Sequence, residues 1–281
     1  MVQKEEKRKQ NDSEDTGQKS KKTKEAFIYG NYRYYYGYRL DKNSKQDPRL
    51  LAFKKEWFEG KNCLDIGCNQ GLITIQIAST FSCRNILGID IDGGLIQCAK
   101  QNLWKISQKK IVNRSDVFNV EHGSQKNFSL LSKEEKFESS ESVYYSNGYD
   151  LRKRVLFRRE NFVEDLGCDV EKYDTVLCLS VSKWIHLNWG DDGLITFFVK
   201  VWQILRPGGI FLFEPQPWES YQKNNRVSEI ARANFRNILF TPDVFQEMLL
   251  DKIGFRYVEN VTEKLPDTVA GFERPIFSFT K

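Results

Sequence analysis

A chain of 281 residues with 40% hydrophobic and 14% aromatic content has the make-up of an ordinary globular protein, long enough for one generous domain with tails. Its formal charge of +5 favours a polyanionic partner only mildly, and no apolar run approaches the roughly 18–20 residues of a membrane span. The N-terminus lacks the apolar core of a signal peptide, the six cysteines form no CxxC pair, and two histidines, His122 and His186, do not make a metal cluster. The expectation is a soluble, metal-free protein with reduced thiols inside the cell.

In chain order, residues 1–25 are almost wholly polar and are expected to be disordered. Lys7-Arg8 and KSKKTK (19–24) have the spacing of a bipartite nuclear import signal, although a merely solubilising tail looks the same. YGNYRYYYGYR (29–39) then gathers six tyrosines and two arginines ahead of the first strand. CLDIGC (63–68) reads as a strand ending in a glycine turn, GLITIQIAST after it as a helix, NILGIDI (85–91) as a second strand and 94–106 as a second helix. Residues 107–150 are rich in serine, lysine and glutamate with little apolar periodicity, which predicts a mobile surface insertion. RVLFRRE (154–160) and YDTVLCLS (173–180) read as strands. LSVSKWIHLNWG (179–190) leads out of the second of these as a loop, and DGLITFFVKVWQIL (192–205) follows as an amphipathic helix. RPGG (206–209) reads as a turn and IFLFEPQ (210–216) as a strand. Thr241-Pro242 reads as a helix start with threonine capping. FRYVENVTE (255–263) and PIFSFTK (275–281) close the chain as two strands. Alternating strands and helices predict a single α/β domain over 26–281, Rossmann-like, with a mainly parallel, doubly covered sheet and an antiparallel terminal pair at its edge.

In such a sheet ligands bind beyond the carboxyl ends of the strands, where the strand order reverses. LDIGCNQG (64–71) places Gly67 and Gly71 in the first such turn, where Asn69 can adopt the left-handed conformation, and Asp90 ends the next strand, placed to accept both hydroxyl protons of a ribose. A dinucleotide and S-adenosylmethionine both suit this pattern. The dinucleotide fingerprint wants a third glycine where Thr74 stands; that, the RPGG turn and the terminal strand pair favour S-adenosylmethionine.

Several stretches together are more specific than the glycine turn: YGNYRYYYGYR, DPRL (47–50), EWF (56–58), LDIGCNQG, LSVSKWIHLNWGDDG (179–193), RPGGIFLFEPQPW (206–218) and GFERPIF (271–277). On these the chain resembles the bicoid-interacting, methylphosphate-capping RNA methyltransferases, over roughly 27–106 and 152–281. The resemblance implies a class I S-adenosylmethionine-dependent methyltransferase fold with a seven-stranded sheet. The implied activity is methyl transfer to the 5′-terminal, γ, phosphate of a small non-coding RNA of the 7SK or U6 type. It implies cofactor contacts at Tyr35, Tyr36 and Arg49, at Gly67, Cys68 and Asn69, at Asp90 and Ile91 on the ribose, at Asn161 and Phe162 by the adenine, and at Leu179 behind the methionine part. The family often has tyrosine where Phe162 stands, so a hydroxyl contact is lost there.

A phosphate oxygen is already an anion, so this reaction needs no strong base; it needs an in-line approach of about 3 Å, dry surroundings and cations on the phosphates. Arg33 and Arg39 can grip phosphate oxygens, and tyrosines such as Tyr35 can donate to them, so the 29–39 segment reads as a lid over both ligands or, more plainly, as an aromatic cover. Lys183 is the leading phosphate cation, with Ser182 a supporting donor and His186 a further candidate, though a lone histidine beside two tryptophans is more often structural. EPQPW (214–218) resembles the NPP-aromatic loop of base N-methyltransferases with glutamate for asparagine; Glu214, Gln216 and Trp218 stand at the substrate edge, and Glu214 suits loop anchoring better than amine methylation. RKRVLFRRE and KNNR (223–226) are basic enough to face RNA or merely solvent. The partners expected are RNA with a 5′-terminal phosphate and ribonucleoprotein components, with no membrane and a monomeric chain. Competing readings are a methyltransferase of 5′-monophosphate RNA or of a small metabolite, and an RNA-binding scaffold.

Overall fold

The computed structural model describes residues 27–33, 46–121, 151–165, 167, 170–263 and 274–281, with backbone alone for 109–121. The basic tail, Tyr35, Tyr36, Arg39, Cys168 and most of the expected insertion lie outside the described residues.

The chain alternates β1 (Asn62–Ile66), α1 (Leu72–Phe81), β2 (Asn85–Asp90), α2 (Gly93–Glu121), β3 (Val155–Arg159), β4 (Tyr173–Leu179), α3 (Ser182–Ile204) and β5 (Leu205–Glu214). Two short helices, α4 (Trp218–Asn224) and α5 (Glu229–Asn237), a helical turn at Phe245–Glu247 continuing as a π-helix over Met248–Ile253, and strands β6 (Tyr257–Asn260) and β7 (Phe277–Thr280) complete it. The seven strands are ordered β3-β2-β1-β4-β5-β7-β6. β1 to β5 are parallel, whereas β7 runs antiparallel to both β5 and β6. The terminal pair is thus antiparallel as expected, but the last strand inserts inside it and leaves β6 at the edge. This is the fold of class I S-adenosylmethionine-dependent methyltransferases.

Strand residues alternate between two cores, as the two-residue period of a strand requires. Cys63, Ile86, Phe157, Leu177 and Leu212 face α1 and α2 together with Trp57 and Phe58. Leu64, Ile66, Val176, Phe211 and Phe213 face α3 and the Phe245 turn. The second core is dominated by phenylalanine: Phe198 meets Phe213 edge-on at 5.6 Å and Phe211 stacks on Phe255 at 5.8 Å. Each such fully buried ring contributes about 1.5–3 kcal/mol over an exposed one.

Four expectations are corrected. α2 runs through Glu121, so the first part of the 107–150 segment continues a helix; no glycine or proline interrupts it before Gly123. LSVSKWIHLNWG is no loop but the first half of α3, joined to the second across a kink where Gly190 takes φ 65°, ψ −165°. Thr241 gives no side-chain cap to the turn at Pro242–Val244; its hydroxyl bonds Asp243 instead. RPGG is absorbed into β5 as a bulge, since the register with β4 jumps between Tyr173↔Leu205 and Thr175↔Ile210.

Candidate cofactor and substrate site

The strand order reverses between β1 and β4, and the turns leaving these two strands open a cleft of about 920 Å³, solvent-open space included. Its floor is the glycine turn. The N–H groups of Gly67 and Cys68 both donate to Ile89 O, at 2.8 and 2.9 Å, which ties the turn to β2. Gly67 sits at φ +75°, and a Cβ there would lie 2.3 Å from Val181 Cγ2, so no larger residue fits. Asn69 adopts φ 52°, and its N–H donates to Asp90 Oδ2 at 2.9 Å, while Asp92 N–H donates to Asp90 Oδ1 at 2.9 Å. Burial outweighs these backbone bonds and pushes the Asp90 carboxyl up to about 6. Asp65 lies in the same floor, also pushed up to about 6 by burial, with the Thr74 hydroxyl donating to it at 2.5 Å. The residue that spoils a third glycine is thus the partner of a buried carboxylate.

Arg49, Gly67, Asn69, Asp90, Ile91, Asn161, Phe162 and Leu179 all line the cleft. The Cys68 side chain does not: it is buried against Gly88, and only its backbone belongs to the turn. Phe162 is held by Lys200, whose ammonium lies 5.1 Å from the ring centroid and donates to Phe162 O at 2.6 Å and Asp165 O at 2.5 Å. Arg49, 2% exposed, spans from Asp47, which it grips through Nε at 3.0 Å and Nη2 at 2.8 Å, to Glu214 at 2.9 Å. Glu214, 1% exposed, therefore anchors the end of β5 to the segment before β1 rather than standing at a substrate edge. A buried cation held between two carboxylates is a fixed element.

The N-terminal strap forms the roof. Ile28 O accepts from Asn188 Nδ2 at 2.8 Å, Tyr32 O accepts from Asn69 Nδ2 at 3.2 Å, and Arg33 O accepts from Gln70. Tyr29 stacks on Trp189 at 5.8 Å and Tyr32 meets Trp184 edge-on at 5.9 Å. Gly30, at φ +69°, passes so close to Trp184 that a Cβ would fall 2.0 Å from the indole nitrogen. Asn31 donates to Asp92 at 2.5 Å, while its buried Oδ1 has no hydrogen-bond partner among the described residues and borders the cleft. Trp184 and Trp189 thus seat the roof and line the cleft. The exposed Arg33 side chain ends the described part of the strap.

The predicted substrate group is largely internal. Lys183 is 5% exposed, its ammonium over the Trp184 ring at 4.1 Å and donating to Ser220 Oγ at 2.9 Å, so it ties α3 to α4. Ser182 is buried and donates to Gln216 Oε1 at 3.2 Å, and the same oxygen accepts Lys183 N–H at 3.0 Å while Gln216 Nε2 bonds Ser180 O. Gln216, held between Pro215 and Pro217, therefore caps α3 from outside, because the N-cap residue Val181 has no side chain to do so. His186 is fully buried, donating through Nε2 to Asp191 at 2.7 Å and facing Tyr221 OH from Nδ1 at 3.4 Å. Burial lowers its pKa more than Asp191 raises it, and its bond to Asp191 ties the two sides of the Gly190 kink. Trp218 stacks on Phe235 at 4.9 Å, in the small core between α4 and α5. The sequence reading missed Asp65, Asn31, Trp184, Lys200 and Arg274. Arg274 donates to Ser180 Oγ at 2.8 Å at the end of β4, and its place in GFERPIF was the only signal for it.

The donor set fits S-adenosylmethionine. Asp90 retains lone pairs for a ribose diol, Ile91 and Phe162 make an apolar slot for a base, and the orphaned Asn31 Oδ1 is a ready acceptor. Buried carboxylates nearby suit a cationic ligand.

A family model described as Bicoid-interacting protein 3 (Bin3) matches residues 173–281. The chain is 52% identical over 271 residues to an Arabidopsis thaliana protein named as a probable RNA methyltransferase, covering 93% of this chain and 83% of that one. It is 34% identical over 263 residues to the U6 snRNA methylphosphate capping enzyme of Drosophila melanogaster, covering 91% of this chain and 75% of that one. Against the human 7SK snRNA methylphosphate capping enzyme it is 36% identical over 280 residues, covering 93% of this chain but 40% of the human one, so it spans under half of that relative. A glycine turn backed by a buried carboxylate, a roofed cleft and these relatives agree: the chain belongs to the Bicoid-interacting protein 3 family.

Proposed function

We propose that this protein is an S-adenosylmethionine-dependent RNA methyltransferase that O-methylates the 5′-terminal phosphate of a small non-coding RNA of the 7SK or U6 snRNA type. The observation that carries the reading is the roofed cleft at the β1/β4 reversal, with Asp90 at its ribose end, in a chain whose relatives are named as methylphosphate capping enzymes. When bound, S-adenosylmethionine supplies an electrophilic methyl group. Asp90 and Asn69 would hold its ribose side, Phe162 and Ile91 its base, and Arg49 with Leu179 its methionine end. Trp184, Trp189 and the Tyr29–Arg33 strap keep water from the reacting end. No strong base is required of the chain, because the phosphate oxygen is already charged. Arg33, whose exposed side chain ends the described strap, and Arg274, bonded to Ser180 just after β4, are the cations proposed for the phosphates; Arg39, Tyr35 and Tyr36, proposed to act with them, lie outside the described residues. Action in the nucleus, a monomeric chain and ribonucleoprotein partners complete the proposal, supported by the two basic clusters of the tail and by relatives that cap nuclear RNAs by name.

The test is transfer of labelled methyl from S-adenosylmethionine to one short hairpin RNA bearing a 5′-triphosphate, a 5′-monophosphate or a 5′-hydroxyl. Label on the triphosphate form supports γ-phosphate capping, and preference for the monophosphate moves the substrate to processed RNA. Equal label on the hydroxyl form refutes phosphate as the target.

A further inference from the structure

Among the exposed cations of the described residues, many are neutralised locally. Lys54 pairs with Glu259, Lys55 with Glu59, Arg158 with Glu160 and Arg206 with Asp174. Others, such as Lys61, Arg84, Lys105 and Arg256, form no ion pair among the described residues but stand scattered, whereas one region gathers such cations together. Across α4 and α5, from Trp218 to Asn237, stand four basic residues, Lys223, Arg226, Arg232 and Arg236, against two carboxylates, Glu219 and Glu229. All four are exposed, and among the described residues none forms an ion pair. Surfaces kept merely soluble mix the two signs of charge evenly; this one carries a two-to-one excess of cations, none of them paired among the described residues.

The scaffold under these cations is firm. Ser228 Oγ caps α5 by accepting Ala231 N–H at 3.0 Å, Ala231 is fully buried, and Asn234 Nδ2 donates to Leu187 O on α3 at 3.0 Å. Trp218 and Phe235 lock α4 to α5. Arg232 and Arg236 are four residues apart and therefore share one exposed helix face. The same pair of helices touches the roof of the cleft: Tyr32 OH donates to Asn224 Oδ1 at 3.4 Å, and Trp184, which lines the cleft, packs in one cluster with Tyr221 and Ala231. The basic face is thus a continuation of the cleft wall, one helix layer outward.

We propose that Lys223, Arg226, Arg232 and Arg236 on α4 and α5 form the docking surface for the phosphate backbone of the substrate RNA beyond its 5′ end. Resting on the proposed function only for the identity of the substrate, it assigns the RNA body a place separate from the cleft that holds the 5′ terminus. Such contacts position without reading bases, so the surface grips the RNA by its charge and path rather than its sequence. It also explains KNNR, which no part of the cleft absorbs.

The decisive comparison is wild type against Arg232→Ala/Arg236→Ala in the full chain, with a 5′-triphosphorylated hairpin and the same hairpin bearing a 5′-hydroxyl. Hairpin binding is read by fluorescence anisotropy between about 50 and 200 mM salt. The variant is expected to bind both hairpins about tenfold more weakly, with the slope of log affinity against log salt reduced by about 1 to 2. Its affinity for S-adenosylhomocysteine, and its methyl transfer to a 5′-triphosphorylated dinucleotide too short to leave the cleft, should match wild type. Hairpin affinity and salt slope unchanged from wild type would overturn the proposal, as would retained binding to RNA with loss of a protein partner instead. If wild type binds the hairpins with the expected slope yet methylates neither, the proposed function fails and the docking surface stands.

Discussion

Asp65 and Asp90, under the glycine turn, are buried carboxylates whose partners all come from nearby in the chain: Thr74, Asn69 and Asp92. Arg232 and Arg236, on the outer wall, are exposed cations with no ionic partner among the described residues. Between these regions runs the row Asp47–Arg49–Glu214, whose charges answer one another in the interior. The contrast separates two recognition problems. A small cationic donor is met by carboxylates kept dry, where each hydrogen bond is strong and geometry is fixed. A long polyanion is met by cations left in water, where each contact is weak, screened by salt and additive.

The largest effect expected in the inner region comes from its charge balance. Arg49→Met leaves Asp47 and Glu214 buried without their cation, and the chain should lose about 3–5 kcal/mol of stability in urea denaturation. Adding Glu214→Gln to that variant should recover part of the loss; a double variant as unstable as the single one would mean that packing, not charge, sets the cost. Asp90→Ala removes the acceptor proposed for two ribose hydroxyls. With charge-assisted bonds worth about 1.5–3 kcal/mol each, S-adenosylhomocysteine should bind at least about 100-fold more weakly by calorimetry. The same variant should leave the salt slope of RNA binding untouched, which would sharpen the division between the two regions. Gly30→Ala drives a Cβ into the Trp184 indole, so the strap should lift and cofactor affinity fall about tenfold with little change in global stability.

The smallest effect is a pH dependence. Asp90 is pushed up to about 6, so the native state holds its proton to higher pH than the unfolded chain does. Its contribution to stability is therefore fully present below the unfolded value and is lost as pH rises through about 6, and Asp65 shares that window. Cofactor binding runs the other way, because ribose hydroxyls favour the ionised carboxylate. Affinity should fall as pH drops below about 6, by at most about tenfold per unit, and Asp90→Asn should flatten that fall. An identical profile in the variant would assign the dependence to Asp65.

Much of this was legible in the sequence, and the limits have physical causes. Buried parallel strands are continuous apolar runs, so β1 to β5 were readable to within a few residues, apart from the bulge that lengthens β5 backwards to Leu205. That Asp90 lines the cleft was legible because the carboxyl end of the strand after the glycine turn faces the topological reversal. The first half of α3 was not, because Ser182, Lys183 and His186 are buried polar residues that break an amphipathic pattern. Their partners Gln216, Ser220, Asp191 and Tyr221 come mostly from some 35 residues away, as the 34 residues between Ser182 and Gln216 show. Glu214 and Arg49 lie 165 residues apart, and only the folded sheet joins them. Lys183 and His186 drew a catalytic reading from their chemistry alone; the folded chain buries them and bonds them to Ser220 and Asp191.

The most direct test of the central claim is where the methyl group ends up. Hairpin RNA with a 5′-triphosphate is labelled by the enzyme, digested completely to nucleotides and separated, and then dephosphorylated. Phosphate methylation predicts that all label travels with the 5′-terminal nucleotide before phosphate removal and that no methylated nucleoside remains afterwards. Label recovered in a base or ribose would contradict it.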